Sequence, residues 1–149
     1  MPIRAIAAVV ALLLLPLAAP AELSTQLQQQ LATGKYVYIS STRKDGSLST
    51  PSEIWYIWRD GAVYVATRPA SWRVRRIKAG RTQAKIAVGS IDAASFMATG
   101  SLIKDPAIEE LIMKTYAEKY PDRWTQLADN FRAGFKDGSR VVVKYVPNP

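Results

Sequence analysis

The longest apolar stretch of the chain is its first. From Ala5 to Ala19 every position but Pro16 is Ala, Val, Ile or Leu, with Leu12 to Leu15 in succession, and Arg4 is the one charge before it. Crossing the hydrocarbon core takes roughly 20 apolar residues. This run is shorter, and it ends in Ala19-Pro20-Ala21, a small-x-small pattern that signal peptidase can cut. The pattern predicts a cleaved secretory signal over 1–21, a mature domain over 22–149 and no stable membrane insertion after cleavage. No twin-arginine pair precedes the run, so the general export route is expected, and with it a periplasmic or secreted protein.

Beyond Glu22 the periodicity alternates between helical and strand-like. Leu23, Leu27 and Leu31 recur every fourth residue, a thin helical stripe that Gly34 can stop. Lys35 to Arg43 is rich in β-branched and aromatic residues and predicts a strand. Lys44-Asp45-Gly46-Ser47 predicts a hairpin turn. Leu48 to Trp58 returns as a second strand, with Pro51 near its start or at a bulge. Arg59-Asp60-Gly61 turns the chain again into Ala62 to Thr67.

A short helix is predicted from Ser71 as N-cap, buried through Val74 and Ile77 and stopped at Gly80. Strands follow at Thr82 to Ile91 and Ala94 to Ile103. Asp105-Pro106 reads as a cap followed by a first-turn proline. In the helix it opens, Ile108, Leu111, Ile112, Thr115 and Tyr116 share a face. Beyond Pro121, Trp124, Leu127, Ala128 and Phe131 repeat the pattern. Asp137-Gly138 leads into a last strand, Arg140 to Val146. About six strands, several joined by tight turns, imply antiparallel pairing in a mainly β, α+β domain, closed as a barrel or packed as a sandwich.

The strand Ile54-Trp55-Tyr56-Ile57-Trp58 departs from simple amphipathicity. Alternation places Ile54, Tyr56 and Trp58 on one face and Trp55 and Ile57 on the other, and both faces are apolar. One face suits the core. The other calls for a second layer, either a subunit, a helix or a flat ring ligand. That demand predicts a homodimer. Glu53, just before the run, reads as an edge residue or a lone functional carboxylate.

Composition narrows the chemistry. Twenty Lys and Arg against twelve Asp and Glu give a formal charge of +8, which favours anionic partners such as phosphates, polyanions or lipid surfaces. The chain has no Cys and no His. Disulfides, thiolate nucleophiles, histidine-based triads, histidine zinc sites and histidine-ligated haem are therefore excluded. Chemistry must come from carboxylates, Lys, Tyr, Ser or Thr, or from a cofactor.

The most suggestive stretch runs from Thr67 to Arg76. A strand ends, the chain turns, and a helix starts with free N–H groups, hydroxyls at Thr67 and Ser71, and Arg73 in its first turn. Such a start attracts anions, and Arg73 can hold a phosphate through two parallel bonds. The same residues also read as a solvated basic helix. Arg76, one turn farther on, is expected to contribute less than Arg73.

With these segments in order, the chain resembles the pyridoxamine 5'-phosphate oxidase-like proteins of the flavin-binding split-barrel superfamily. The resemblance rests on Arg43-Lys44-Asp45-Gly46, on Ile54 to Gly61 with Val63 to Thr67, and on Ser71-Trp72-Arg73-Val74-Arg75-Arg76-Ile77. Ala98-Thr99-Gly100, read as a strand end, and Lys119 to Trp124 complete it. It implies a six-stranded antiparallel split β-barrel with short flanking helices, dimeric, with FMN or a deazaflavin between subunits. The phosphate positions fall on Thr67, Ser71, Trp72 and Arg73. The ring would lie along Glu53, Ile54, Trp55 and Tyr56, largely through backbone contacts. Trp72 stands where many members carry a basic residue. The implied activity is an oxidoreductase acting on a small substrate. The alternative is a cofactor-free periplasmic binding protein for a phosphorylated or anionic small molecule. No nucleic acid partner, no metal and no particular catalytic residue is expected.

Overall fold

A computed structural model describes residues 22–149; the leader expected over 1–21 lies outside the described residues. Helix α1 spans Thr25–Thr33, with Ser24 Oγ accepting from Leu27 N at 3.2 Å. Strand β1, Val37–Ser41, follows. The next predicted strand, Leu48 to Trp58, is two: β2, Ser52–Ile54, and β3, Ile57–Arg59. Then come β4, Ala62–Thr67; α2, Trp72–Lys78; β5, Gln83–Val88; and β6, Ser95–Ile103. Helices α3, Pro106–Lys119, and α4, Pro121–Asp137, meet at Tyr120, and β7, Val141–Pro147, ends the domain.

The seven strands form one antiparallel sheet in the order β2-β1-β5-β6-β7-β4-β3. β2 and β3 are separated by only Trp55 and Tyr56 in the chain, yet they lie at opposite ends of this order. The sheet must therefore curl until its two ends meet at that bend. This is the split barrel. The extra strand over the expected six arises because one continuous apolar run turns a corner and pairs with β1 before it and β4 after it.

Turn chemistry follows the residues. Asp60 and Gly61 both take positive φ, 48° and 74°, as a tight hairpin turn demands. Gly138, at φ 82°, closes α4 in the left-handed cap that glycine favours.

Two hydrophobic clusters lie on the two faces of the sheet. The barrel interior holds Val37, Ile39, Tyr56, Val63, Val65, Ile86, Val143 and Tyr145, plugged by Leu27 and Leu31 of α1 and Val74 of α2. The outer face of β3, β4 and β7 packs Ile57, Tyr64, Ala66 and Val142 against Ile112, Tyr116, Trp124 and Phe131 of α3 and α4. Ala62 to Ala66 are consequently buried on both faces. The alternation read from Ile54 to Trp58 holds: Ile54, Tyr56 and Trp58 belong to the barrel cluster, and Trp55 and Ile57 to the helical one. The second layer is thus supplied by helices of the same chain. The apolar outer face of this strand places no demand on a second subunit or a ring, and the argument for a dimer drawn from it falls away.

Candidate anion-binding cleft

The bend at Trp55 and Tyr56 positions everything around it. Trp55 O accepts from Tyr116 Oη at 2.9 Å, Tyr56 O from Lys119 Nζ at 2.9 Å, and Tyr56 N donates to Tyr120 Oη at 3.3 Å. Residues 116, 119 and 120 stand at i, i+3 and i+4, so one face at the end of α3 serves the backbone of the corner. Tyr120 Oη also donates to Lys35 O at 2.6 Å, and its ring stacks on Trp55 at 4.0 Å with an interplanar angle of 8°. Inside the barrel, Tyr56 Oη donates to Leu31 O at 2.7 Å. Burial pushes the Tyr56 phenol up to about 12, and burial pulls the Lys119 ammonium down to about 8.

These bonds bear on the positions expected to meet a ring. Trp55 O and both backbone polar groups of Tyr56 are already taken within the chain, and the Tyr56 side chain is fully buried. A ring placed there would share these groups with Tyr116, Lys119 and Tyr120. Ile54 packs against the barrel core. Glu53 is exposed on the opposite face of β2 and accepts from Tyr38 Oη, its cross-strand partner.

Across the barrel mouth, α2 is seated on β6 by Val74 and Ile77. Gly100 makes the seat close: a Cβ there would lie 2.8 Å from Tyr145 Cε1 and 3.0 Å from Ile77 Cδ1. Gly100 is therefore inside β6, where helix and sheet meet, rather than at the strand end expected from the resemblance.

That seat turns Arg73 and Arg76, i and i+3, toward a cleft of about 440 Å³ between α2 and the β1–β2 hairpin. Ser71, Trp72, Arg73 and Arg76 line one side, and Ser41, Arg43 and Ser52 line the other. Three arginines face it, and among the described residues no carboxylate lines it.

Arg73 Nη2 donates to Ser52 Oγ at 3.2 Å, and Arg76 Nη1 to Ser41 Oγ at 2.7 Å. Ser71 occupies the N-cap position, with Arg75 N donating to its carbonyl at 3.1 Å, but its side chain makes no capping bond. Ser71 Oγ and Arg73 Nη1 are both buried without a hydrogen-bond partner. Burial draws the Arg73 guanidinium below its ordinary range, and the nearby Tyr145 and Tyr116 hydroxyls partly counter it. Tyr145 Oη is likewise buried and faces that guanidinium from the barrel interior.

Of the eight expected residues, Ser71, Trp72 and Arg73 come together here. Glu53, Ile54, Trp55 and Tyr56 do not line the cleft, nor does Thr67, half-buried at the end of β4 opposite Val141. Trp72 is 65% exposed, with the Arg75 and Arg76 guanidiniums 5.0 and 5.3 Å from its ring. Arg76, expected to contribute less than Arg73, lines the same cleft. Its signal was the three-residue spacing on a helix. Arg43 and Ser52 carried no such signal, because only the fold of the hairpin brings them to α2. The helix itself has two turns, so the site's positive field comes mainly from side chains.

The fold is similar to that of the pyridoxamine 5'-phosphate oxidase-like split barrels. A Listeria innocua protein named after pyridoxamine 5'-phosphate oxidase is similar over 83% of this chain and 92% of that one, with a TM-score of 0.60 and 15% identity. The heme storage protein HutZ of Vibrio cholerae matches over 87% and 92%, at a TM-score of 0.60 and 11% identity. An F420 reductase matches over 82% and 93%, at a TM-score of 0.54 and 16% identity. No curated protein matches. The profile of the bacterial family described as "Uncharacterized protein conserved in bacteria (DUF2255)" matches residues 27–135.

Proposed function

The chain belongs to this bacterial DUF2255 family, and we propose that it is a flavin-type split-barrel oxidoreductase that holds the phosphate of FMN, or of a deazaflavin, in the Arg73 cleft. One observation carries the reading: Ser71 Oγ is a buried donor without a partner beside Arg73, in a cleft lined by three arginines and, among the described residues, no carboxylate. Stranding buried polar groups costs about 1–3 kcal/mol each, so a ligand supplying acceptors there is favoured. A phosphate fits this donor set. Arg73 can reach it through Nη2, the nitrogen that faces Ser52, Ser71 through its hydroxyl, and Arg76 and Arg43 add charge from either side. Trp72, at the rim, offers an aromatic face to the rest of the ligand. The flavin, when bound, would supply the hydride or electron transfer. The protein's share is binding, orientation and charge.

A second reading is a cofactor-free binding protein for a phosphorylated or other anionic small molecule. The internally satisfied backbone at Trp55 and Tyr56 favours it, because a ring expected to rest there would share its contacts. In both readings the protein is exported to the periplasm or secreted, and works as a homodimer on a small molecule. Intact mass of the exported form and light scattering at low micromolar concentration check these two properties. A mass that retains 1–21, or a strict monomer, removes the corresponding one.

The deciding experiment titrates FMN, riboflavin and ribose 5-phosphate into the purified protein at fixed salt, following flavin fluorescence and calorimetric heat. The flavin reading expects FMN to bind at least tenfold tighter than either fragment. Equal affinity for FMN and ribose 5-phosphate supports the second reading. Arg73→Gln should weaken phosphate-bearing ligands about tenfold or more, the loss of a charge-assisted bond. Arg75→Gln, whose guanidinium stacks on Trp72 outside the cleft lining, should cost less than threefold, roughly the effect of an exposed charge. Absence of binding by the wild type to all three compounds refutes both readings.

A further inference from the structure

A second arginine pair faces a different cleft, of about 560 Å³, between the β4–α2 loop and the end of α4. It shares no lining residue with the Arg73 cleft. Arg68 stands on one side and Arg140 on the other, with Pro69, Ala70, Ala133 and Gly134 forming small walls.

The placement of Arg140 is built rather than incidental. A Cβ on Gly134 would come within 2.8 Å of Arg140 Cβ, so only glycine lets the chain after α4 fold back this closely. Arg140 N donates to Gly134 O at 3.1 Å. Its guanidinium carbon lies 3.6 Å from the centroid of the Phe131 ring, which fixes the plane of the fork. Arg140 Nε is buried and has no hydrogen-bond partner.

Charge makes the arrangement costly as it stands. Neither Arg68 nor Arg140 has an ion-pair partner within 4.0 Å among the described residues. Among the described residues one carboxylate lines the cleft, Asp137, and it accepts from Ser139 N at 2.8 Å. Desolvation, and then the like charge of Arg68, draw the Arg140 guanidinium below its ordinary range. A planar, desolvated cation with a free Nε, set beside a second cation, matches the two oxygens of a carboxylate or phosphate.

We propose that Arg68 and Arg140 form a second binding site, for the oxyanion group of a small organic acid or phosphoester, separate from the Arg73 cleft. The anion bridges the two guanidiniums and takes the Arg140 Nε–H as donor. The small walls admit a compact ligand and leave its organic part near solvent.

The test uses inorganic phosphate and acetate as probes, with the purified protein at constant ionic strength set by sodium chloride. Binding is followed through the arginine Nε–H resonances and by calorimetry. The Arg140 Nε–H resonance should shift saturably with phosphate or acetate, and whichever binds tighter names the ligand subclass. Arg68→Gln, an exposed position whose loss leaves the core intact, should weaken that site at least fivefold. Arg140→Lys, which keeps the charge and removes the fork, should do the same. Arg73→Gln should leave the Arg140 shift unchanged. The proposal is overturned if the resonance does not saturate. It is equally overturned if chloride displaces the probes as well as they displace each other, or if Arg73→Gln abolishes the shift.

Discussion

Replacing Tyr120 by Phe removes one oxygen from the corner that gives the sheet its curl. That oxygen donates to Lys35 O at 2.6 Å and accepts from Tyr56 N at 3.3 Å. Lys35 is exposed, so its carbonyl can turn to water. Tyr56 is completely buried, so its N–H cannot. Losing a neutral bond costs roughly 0.5–1.5 kcal/mol, and stranding a buried donor about 1–3 kcal/mol.

The phenyl ring retains the stack on Trp55 at 4.0 Å and the edge contact with Tyr116 at 5.3 Å, so no cavity opens. The expected loss is therefore about 1.5–3.5 kcal/mol, taking the Lys35 term at its low end. For a domain of this size that is a fall of roughly 5–14 °C in Tm. Tyr116→Phe breaks one bond, to the carbonyl of half-buried Trp55, and should cost about 1–2 kcal/mol. Urea unfolding of the two variants and their combination measures all three quantities, with m expected to be unchanged. Because both tyrosines serve one corner, the double variant should depart from additivity by at least about 0.5 kcal/mol. A Tyr120→Phe protein within about 0.5 kcal/mol of the wild type would refute the view that α3 holds the bend through these bonds.

Lys119 gives stability a pH dependence of definite sign. Its ammonium is drawn from 10.5 down to about 8 by burial, so between those values the unfolded chain binds the more protons. Stability should rise as pH climbs from about 8 toward 10, then fall as the tyrosines raised by burial, Tyr56 among them at about 12, begin to ionise in the unfolded chain. Lys119→Met should abolish the rise, and denaturation midpoints across this range check it; a rise of equal size in the variant would assign it elsewhere. Gly100→Ala forces a methyl to within 2.8 Å of a Tyr145 ring that is almost wholly buried. It should cost about 1–3 kcal/mol by overpacking, and should weaken phosphate binding through displaced Arg73 and Arg76. Calorimetry and a phosphate titration on the same variant read both effects, and full stability would show that the helix seat is looser than its contacts imply.

Much of the architecture could be read from local chemistry. Alternation and tight turns such as Asp60-Gly61 located the sheet, and Asp105-Pro106 located the start of α3, where the Asp105 carboxylate accepts from Ala107 N at 3.0 Å. The two faces of Ile54 to Trp58 were also legible, because side-chain direction in extended chain depends only on parity. Parity does not reveal a corner. Trp55 and Tyr56 look like any other strand residues until Tyr116, Lys119 and Tyr120, more than sixty positions away, meet their backbone groups. Nor does it say what covers an apolar face; here it was α3 and α4.

The site divides the same way. Ser71, Trp72 and Arg73 stood out because they are neighbours in the chain at a strand-to-helix junction. Arg43 and Ser52 joined them only through the pairing of β1 with β2, and Arg68 faces Arg140 only because Gly134 lets the chain fold back beside it. Sequence alone determined the elements apart from the break between β2 and β3, their faces and the basic helix start, since each depends on residues within a turn or two. Tertiary structure decided where the sheet bends, which arginines share a cleft and which donors are left without partners, because those depend on burial and on contacts between distant segments.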